Sequence, residues 1–168
     1  MTETGKEFGD TDLMKATKML AVNVLYEEDP LIRKHSLYLI GIARNPDCIP
    51  ILIQSLKDPE KGVRSQATQA LVMMGEPAVK DLLNLLSNPD WKVRYRTAEA
   101  LGMIGDDKAA SPLIELLSDN KDHVRYMAAK SLSILRNPGA REALQRCQMD
   151  ENAYVRKMAS FALLKIGK

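Results

Sequence analysis

Apolar and polar residues recur along this chain with two nested periods. The short period is helical. Val93, Thr97, Ala100, Leu101 and Ile104 form one apolar or small stripe, with polar residues between them. The long period is about 31 residues, at which the same stripe returns. Its plainest marker is a series of arginines, Arg33, Arg64, Arg94, Arg125 and Arg156, at intervals of 31, 30, 31 and 31 residues. Each follows a branched apolar residue: Ile32, Val63, Val93, Val124 and Val155. Seven residues after each stand Ile40, Leu71, Leu101, Leu132 and Leu163. A fixed period of this size predicts stacked helical pairs, each burying its apolar face against its neighbours.

Each unit reads as helix, short turn, helix. Apolar runs at 49–56, 82–86 and 113–117 predict first helices, with Pro50, Pro77 and Pro112 near their starts, where a missing N–H is tolerated. Gly75, Gly105 and Gly167 end three units as expected left-handed stops. Arg44 and Arg136 take that place before Asn-Pro in the other two. No alternating strand pattern appears. The expectation is an all-α chain forming an α-solenoid of five helix-turn-helix repeats, at 11–44, 45–75, 76–105, 106–136 and 137–168. Residues 1–10 are polar and read as a disordered tail.

Six residues before the arginines stand Glu27, Asp58, Asn88, Asp119 and Asp150. That spacing predicts each acid as the hydrogen-bond partner of the arginine six residues on. The pattern Asp-x5-Arg with a preceding valine, then Ala-x2-Ala-Leu and a closing Ile-Gly, is well shown by residues 98–105. It resembles the HEAT-repeat family, most closely the short repeats named after phycobilisome lyases. The resemblance implies a ladder of acid–arginine hydrogen bonds between neighbouring repeats. Asp58, Asn88, Asp119 and Asp150 with Arg64, Arg94, Arg125 and Arg156 would then be structural; Glu27 departs from the pattern. It also implies that the second helices line a concave side.

On a helical wheel with each arginine at zero, positions −1, +3, +6, +7 and +10 span about 240–340° and form the core stripe. Positions −2, +1, +2, +5 and +9 span about 100–200° and face away from it. That outer arc, with the turn residue before it, holds six of the eight aromatics: Tyr38, Trp91, Tyr95, Tyr126, Tyr154 and Phe161. It also holds His35, His123, Met127 and Met158, and seven Lys or Arg, among them Lys92, Arg96, Lys130 and Lys157, against the two acids Glu99 and Asp122. Aromatics that avoid an aliphatic core, mixed with Met and Arg, have the composition of a binding surface. Sideways packing between second helices is the competing reading. The positive balance suits an acidic or phosphorylated protein segment.

Composition narrows the chemistry. A chain of 168 residues can bury one sizeable core, and its net charge of +2 demands no particular partner. No apolar run approaches a membrane span. Cys48 and Cys147 lack metal-ligand spacing and read as free thiols of a cytoplasmic protein. No catalytic constellation or cofactor motif is visible, and the His-Glu dipeptides of di-iron hydroxylases in the resembled family are missing. The primary expectation is a non-enzymatic binding module or scaffold. A nucleic-acid-binding protein and a lyase-like subunit handling a tetrapyrrole are the alternatives, which Trp91 with its basic neighbours and the lyase resemblance keep open. In the last unit, Gln145 and Gln148 stand where earlier units carry Ile or Leu, as a capping repeat requires.

Overall fold

The computed structural model describes residues 10–167, and side chains from Lys15 onward. Of the expected tail only Asp10 falls among the described residues, and it opens the first helix. Ten α-helices follow in five pairs. The first helices are α1 (Asp10–Tyr26), α3 (Ile49–Gln54), α5 (Glu76–Leu85), α7 (Ala110–Glu115) and α9 (Arg141–Cys147). The second helices are α2 (Pro30–Ala43), α4 (Lys61–Met74), α6 (Trp91–Ile104), α8 (Asp122–Leu135) and α10 (Ala153–Ile166). No strand occurs among the described residues.

Local chemistry sets the boundaries. The side chains of Asp29, Asp90 and Asn152 accept the backbone N–H two residues on and cap α2, α6 and α10. Gly75 and Gly105 end α4 and α6 at φ of 70° and 81°. Arg44 and Arg136 adopt the left-handed conformation themselves, at φ of 49° and 53°. Asn45 and Asn137 beyond them cap the next turn. Gly167 departs from the expected stop, at φ −81°.

The core alternates between layers. Leu37, Ile40, Leu71, Leu101 and Leu132 from second helices meet Leu52, Leu82, Leu113 and Leu144 from first helices, all at 0 % exposure. Gln145 and Gln148 are exposed on the last unit, and Gln148 Nε2 donates to Ser160 Oγ at 3.1 Å.

Neighbouring second helices approach closely where a small residue stands eight places after the arginine. Gly41 faces Ala70 and Met73 across α2–α4, and Gly102 faces Ser131 across α6–α8. At the same register the α4–α6 junction carries Val72, and there the two helices touch along a shorter stretch. A Cβ at Gly102 would lie 2.4 Å from Ser131 Cβ and Oγ and 2.7 Å from its Cα. Ser131 Oγ meanwhile donates to Ala98 O at 2.8 Å. Gly102→Ala is therefore expected to lose about 1–3 kcal/mol by overpacking, despite alanine's better helix propensity. Urea unfolding measures it, and an unchanged or raised midpoint would mean that α6 and α8 part without cost.

The arginine ladder exists, but in a different register from the one the spacing predicts. Each carboxylate comes from the following repeat. Arg33 Nε and Nη2 donate to Asp58 Oδ2 and Oδ1 at 2.8 and 3.1 Å. Arg94 grips Asp119 in the same way at 2.7 and 2.8 Å, and Arg125 grips Asp150 at 2.7 and 2.9 Å. The residue six places earlier supplies only its backbone carbonyl: Glu27, Asp58, Asn88, Asp119 and Asp150 all accept from Nη1 there. A carbonyl needs no acid, so Glu27 serves the first rung. Two arginines assigned to the ladder lack the carboxylate half among the described residues. Arg156 reaches only the carbonyls of Asp150 and Glu151, and Arg64 only those of Asp58 and Pro59. Asn88 stands where Arg64 would find its acid. Its Oδ1 accepts the Asp90 N–H at 3.0 Å, as the aspartates' Oδ1 atoms do in their own turns. Where those aspartates offer Oδ2 to the arginine Nε, it carries an amide nitrogen, a donor that cannot accept from a guanidinium.

Candidate partner-binding site

Packing of second helix against second helix leaves their N-terminal halves lining a trough across units two to five. It consists of two adjoining hollows. The larger, about 420 Å³, is lined by Tyr95, Asp122, His123, Tyr126, Asn152 and Tyr154. The smaller, about 280 Å³, is lined by Lys61, Arg64, Trp91, Lys92, Tyr95, Arg96 and His123. Tyr95 and His123 belong to both and form the saddle between them.

The tyrosines arise from register. Tyr95 and Tyr126 each follow a ladder arginine that is pinned by an aspartate of the next unit, so successive rings are presented on the same side of the stack. Both are half-buried and packed partly against the core. Trp91, at the first turn of α6, is also half-buried, and its ring lies 5.2 Å from that of His123, tilted by 45°. Tyr154 is 72 % exposed at the far end.

Charge is unevenly spread along the trough. Arg96 Nη1 bonds Glu99 Oε2 at 2.7 Å and its guanidinium lies 5.4 Å from the Tyr95 ring centre, so part of its charge is internally matched. Burial, reinforced by Glu99 and opposed by Arg96, pushes the Tyr95 phenol above its ordinary range. Asp122 accepts from His123 Nδ1 at 2.7 Å and also bonds the Asn152 amide. The His123 bond, against a smaller burial effect, holds the Asp122 carboxyl below the usual carboxylate range. The hollow at Trp91 is thus cationic, and the hollow at Tyr126 contains a carboxylate.

The expected outer arc is only partly brought together. Trp91, Lys92, Tyr95, Arg96, His123, Tyr126 and Tyr154 line the trough. Lys130, Lys157 and Phe161 are exposed on the same helices outside the two hollows, and Phe161 carries Lys165 Nζ 5.3 Å from its ring centre. Tyr38, on α2, is exposed and lies apart from them. Met127 is a correction. It is 2 % exposed and belongs to the core, because position +2 borders the apolar stripe and α8 is flanked on both sides, by α6 and α10. Asn152 lines the trough although the wheel omits it; its signal is its place as the cap of α10. Asp122 and Lys61, also in the lining, open α8 and α4. No helix among the described residues is long and apolar enough to cross a membrane.

Comparison with known proteins agrees with this architecture. The CpcE–CpcF complex of phycocyanin lyase from Nostoc sp. PCC7120 superimposes with a TM-score of 0.66 at 22% identity, over 99% of this chain and 69% of that one. A designed armadillo repeat protein in complex with the peptide (KR)4 gives 0.57 at 19% identity, over 94% and 87%. Human deoxyhypusine hydroxylase in complex with glycerol gives 0.54 at 20% identity, over 92% and 74%. At these identities the likeness is one of fold. No curated protein matches the sequence. The family model for HEAT repeats matches residues 19–84 and 79–164, most of the chain. With five stacked helical pairs in register, this chain belongs to the HEAT-repeat family.

Proposed function

We propose that this protein is a non-enzymatic binding module or scaffold that holds a protein or peptide segment along the second-helix trough. One observation carries the reading: Trp91, Tyr95, His123, Tyr126 and Tyr154 line two joined hollows across three successive units. Half-buried aromatic rings beside Arg are the groups that dominate protein interfaces. A solenoid offers them as an extended surface suited to an extended chain. The designed armadillo repeat protein of similar fold is in complex with a peptide, (KR)4. The lyase and hydroxylase neighbours show that such stacks also occur in enzymes. Two buried, unpaired thiols suit a cytoplasmic setting.

The test is a pull-down from native lysate by immobilised parent protein and by a Tyr95→Ala, Tyr126→Ala variant, with the captured protein then mapped to a segment. The expected result is a species held by the parent, lost by the variant and displaced by the synthetic segment. Salt-sensitive binding of a random DNA duplex would favour a nucleic-acid role instead. Visible absorbance of the purified protein would favour a tetrapyrrole role.

A further inference from the structure

One rung of the ladder is open. In Arg33, Arg94 and Arg125, Nη1 takes backbone carbonyls while Nε and Nη2 hold a carboxylate side-on. Arg64 repeats the carbonyl half, to Asp58 O at 2.5 Å and Pro59 O at 2.7 Å. Its Nε and Nη2 make no hydrogen bond among the described residues, and the following unit offers the neutral Asn88 where the sister units offer a carboxylate. The same junction carries Val72 in place of a small residue, and the smaller hollow opens there, with Arg64 in its wall. Lys61 and Lys92 are exposed beside Arg64, Arg96 lies beyond, and no acid lines this hollow.

We infer that the open edge of Arg64 is an anion site, and that its occupant is a carboxylate side chain of the segment bound in the trough. The side-on geometry is the one that three sister arginines use for aspartate, with two parallel donors matching two oxygens. The intramolecular aspartate is missing, so the carboxylate comes from outside. A nucleic-acid backbone fits worse. Its charge repeats without interruption, whereas the adjoining hollow presents Asp122. This inference rests on the segment-binding reading and names the chemistry that one position of the segment supplies.

Arginine Nε–H and indole N–H resonances make the site observable, since Trp91 is the only tryptophan. The probe is acetyl-glutamate methylamide, titrated into the full chain, with the glutamine analogue as the neutral control. The glutamate probe should shift the Arg64 and Trp91 signals saturably, with millimolar affinity, and the control should not. Asn88→Asp should close the rung, raise the Tm and weaken the probe by about tenfold. Arg64→Gln should weaken it by a similar factor and decides the matter if the Tm of the first variant does not rise. Equal shifts from both probes, or undiminished binding in Arg64→Gln, would overturn the site. So would a phosphoserine analogue that binds more than about tenfold tighter than glutamate, or displacement of the probe by random duplex DNA; these assign the hollow to phosphate. The small probe reports on the hollow alone. If glutamate binds here while the double tyrosine variant still captures every lysate protein, the segment reading fails and the anion site stands.

Discussion

Arg125→Ala is expected to cost the fold about 3–5 kcal/mol, the range found when one member of a buried ion pair is removed. For a chain of this size that lowers the Tm by about 6–20 °C. The arginine does three things at once. It grips Asp150 through two bonds of 2.7 and 2.9 Å, donates to Glu151 Oε1 at 3.1 Å, and ties down the carbonyl of Asp119 at 2.9 Å. The side chains of Arg125 and Asp150 are 10 % and 8 % exposed, so water replaces the lost donors poorly. Acidity provides a second reading of the same contact. The Arg125 bonds hold the Asp150 carboxyl below its ordinary value, against a smaller opposing effect of burial. A depressed carboxylate adds stability that is complete above its unfolded value, about pH 4, and is lost as pH falls through the folded value. The gap between parent and variant should therefore be full near neutrality and shrink under acid. Thermal melts between about pH 2 and 7 test this. An unchanged Tm would remove the ladder from the stability of the stack, and a gap independent of pH would show that Asp150 is not the partner that matters.

Trp91→Ala should weaken a segment recovered in the trough by about 2 kcal/mol or more, roughly thirty-fold. The ring belongs to the middle unit, has its centre 5.2 Å from that of the His123 ring and walls the cationic hollow. A segment lying across units two to five encloses this point from both sides, and enclosed aromatics contribute most to interface affinity. Because Trp91 is half-buried against the core, truncation should also lower stability by about 1–2 kcal/mol. Titration calorimetry at a temperature well below both melts separates the two effects. Intact affinity with a lowered Tm would show that the ring only packs.

The repeat was legible because its markers are one-dimensional. A period near 31 and a helical stripe need no knowledge of neighbours. Ladder partners were less legible for a numerical reason. With this period, an acid six residues before one arginine is also 25 residues after the previous one, and the two readings name the same residues. Only the stacked geometry distinguishes Asp150 as the partner of Arg125 rather than of Arg156. Met127 was misplaced because a wheel treats each helix alone, whereas α8 has a second helix on either flank. Asn152 escaped because it precedes its helix and has no place on the wheel. The places of Trp91, Tyr95 and Tyr126 in the trough lining were legible because aromatic rings outside an aliphatic stripe are visible from composition and register alone.

The junction between α4 and α6 has a consequence for how the molecule comes apart. A stack of repeats behaves as a one-dimensional lattice, whose cooperativity depends on the weakest coupling between adjacent units. Here that coupling lacks its ion pair and its close helix approach at the same place. Units one and two are joined by the Arg33–Asp58 pair, and units three to five by Arg94–Asp119 and Arg125–Asp150. The chain is thus built as a block of two and a block of three. Backbone amides should exchange in two groups rather than one, and the seam between the groups runs through the hollow at Arg64.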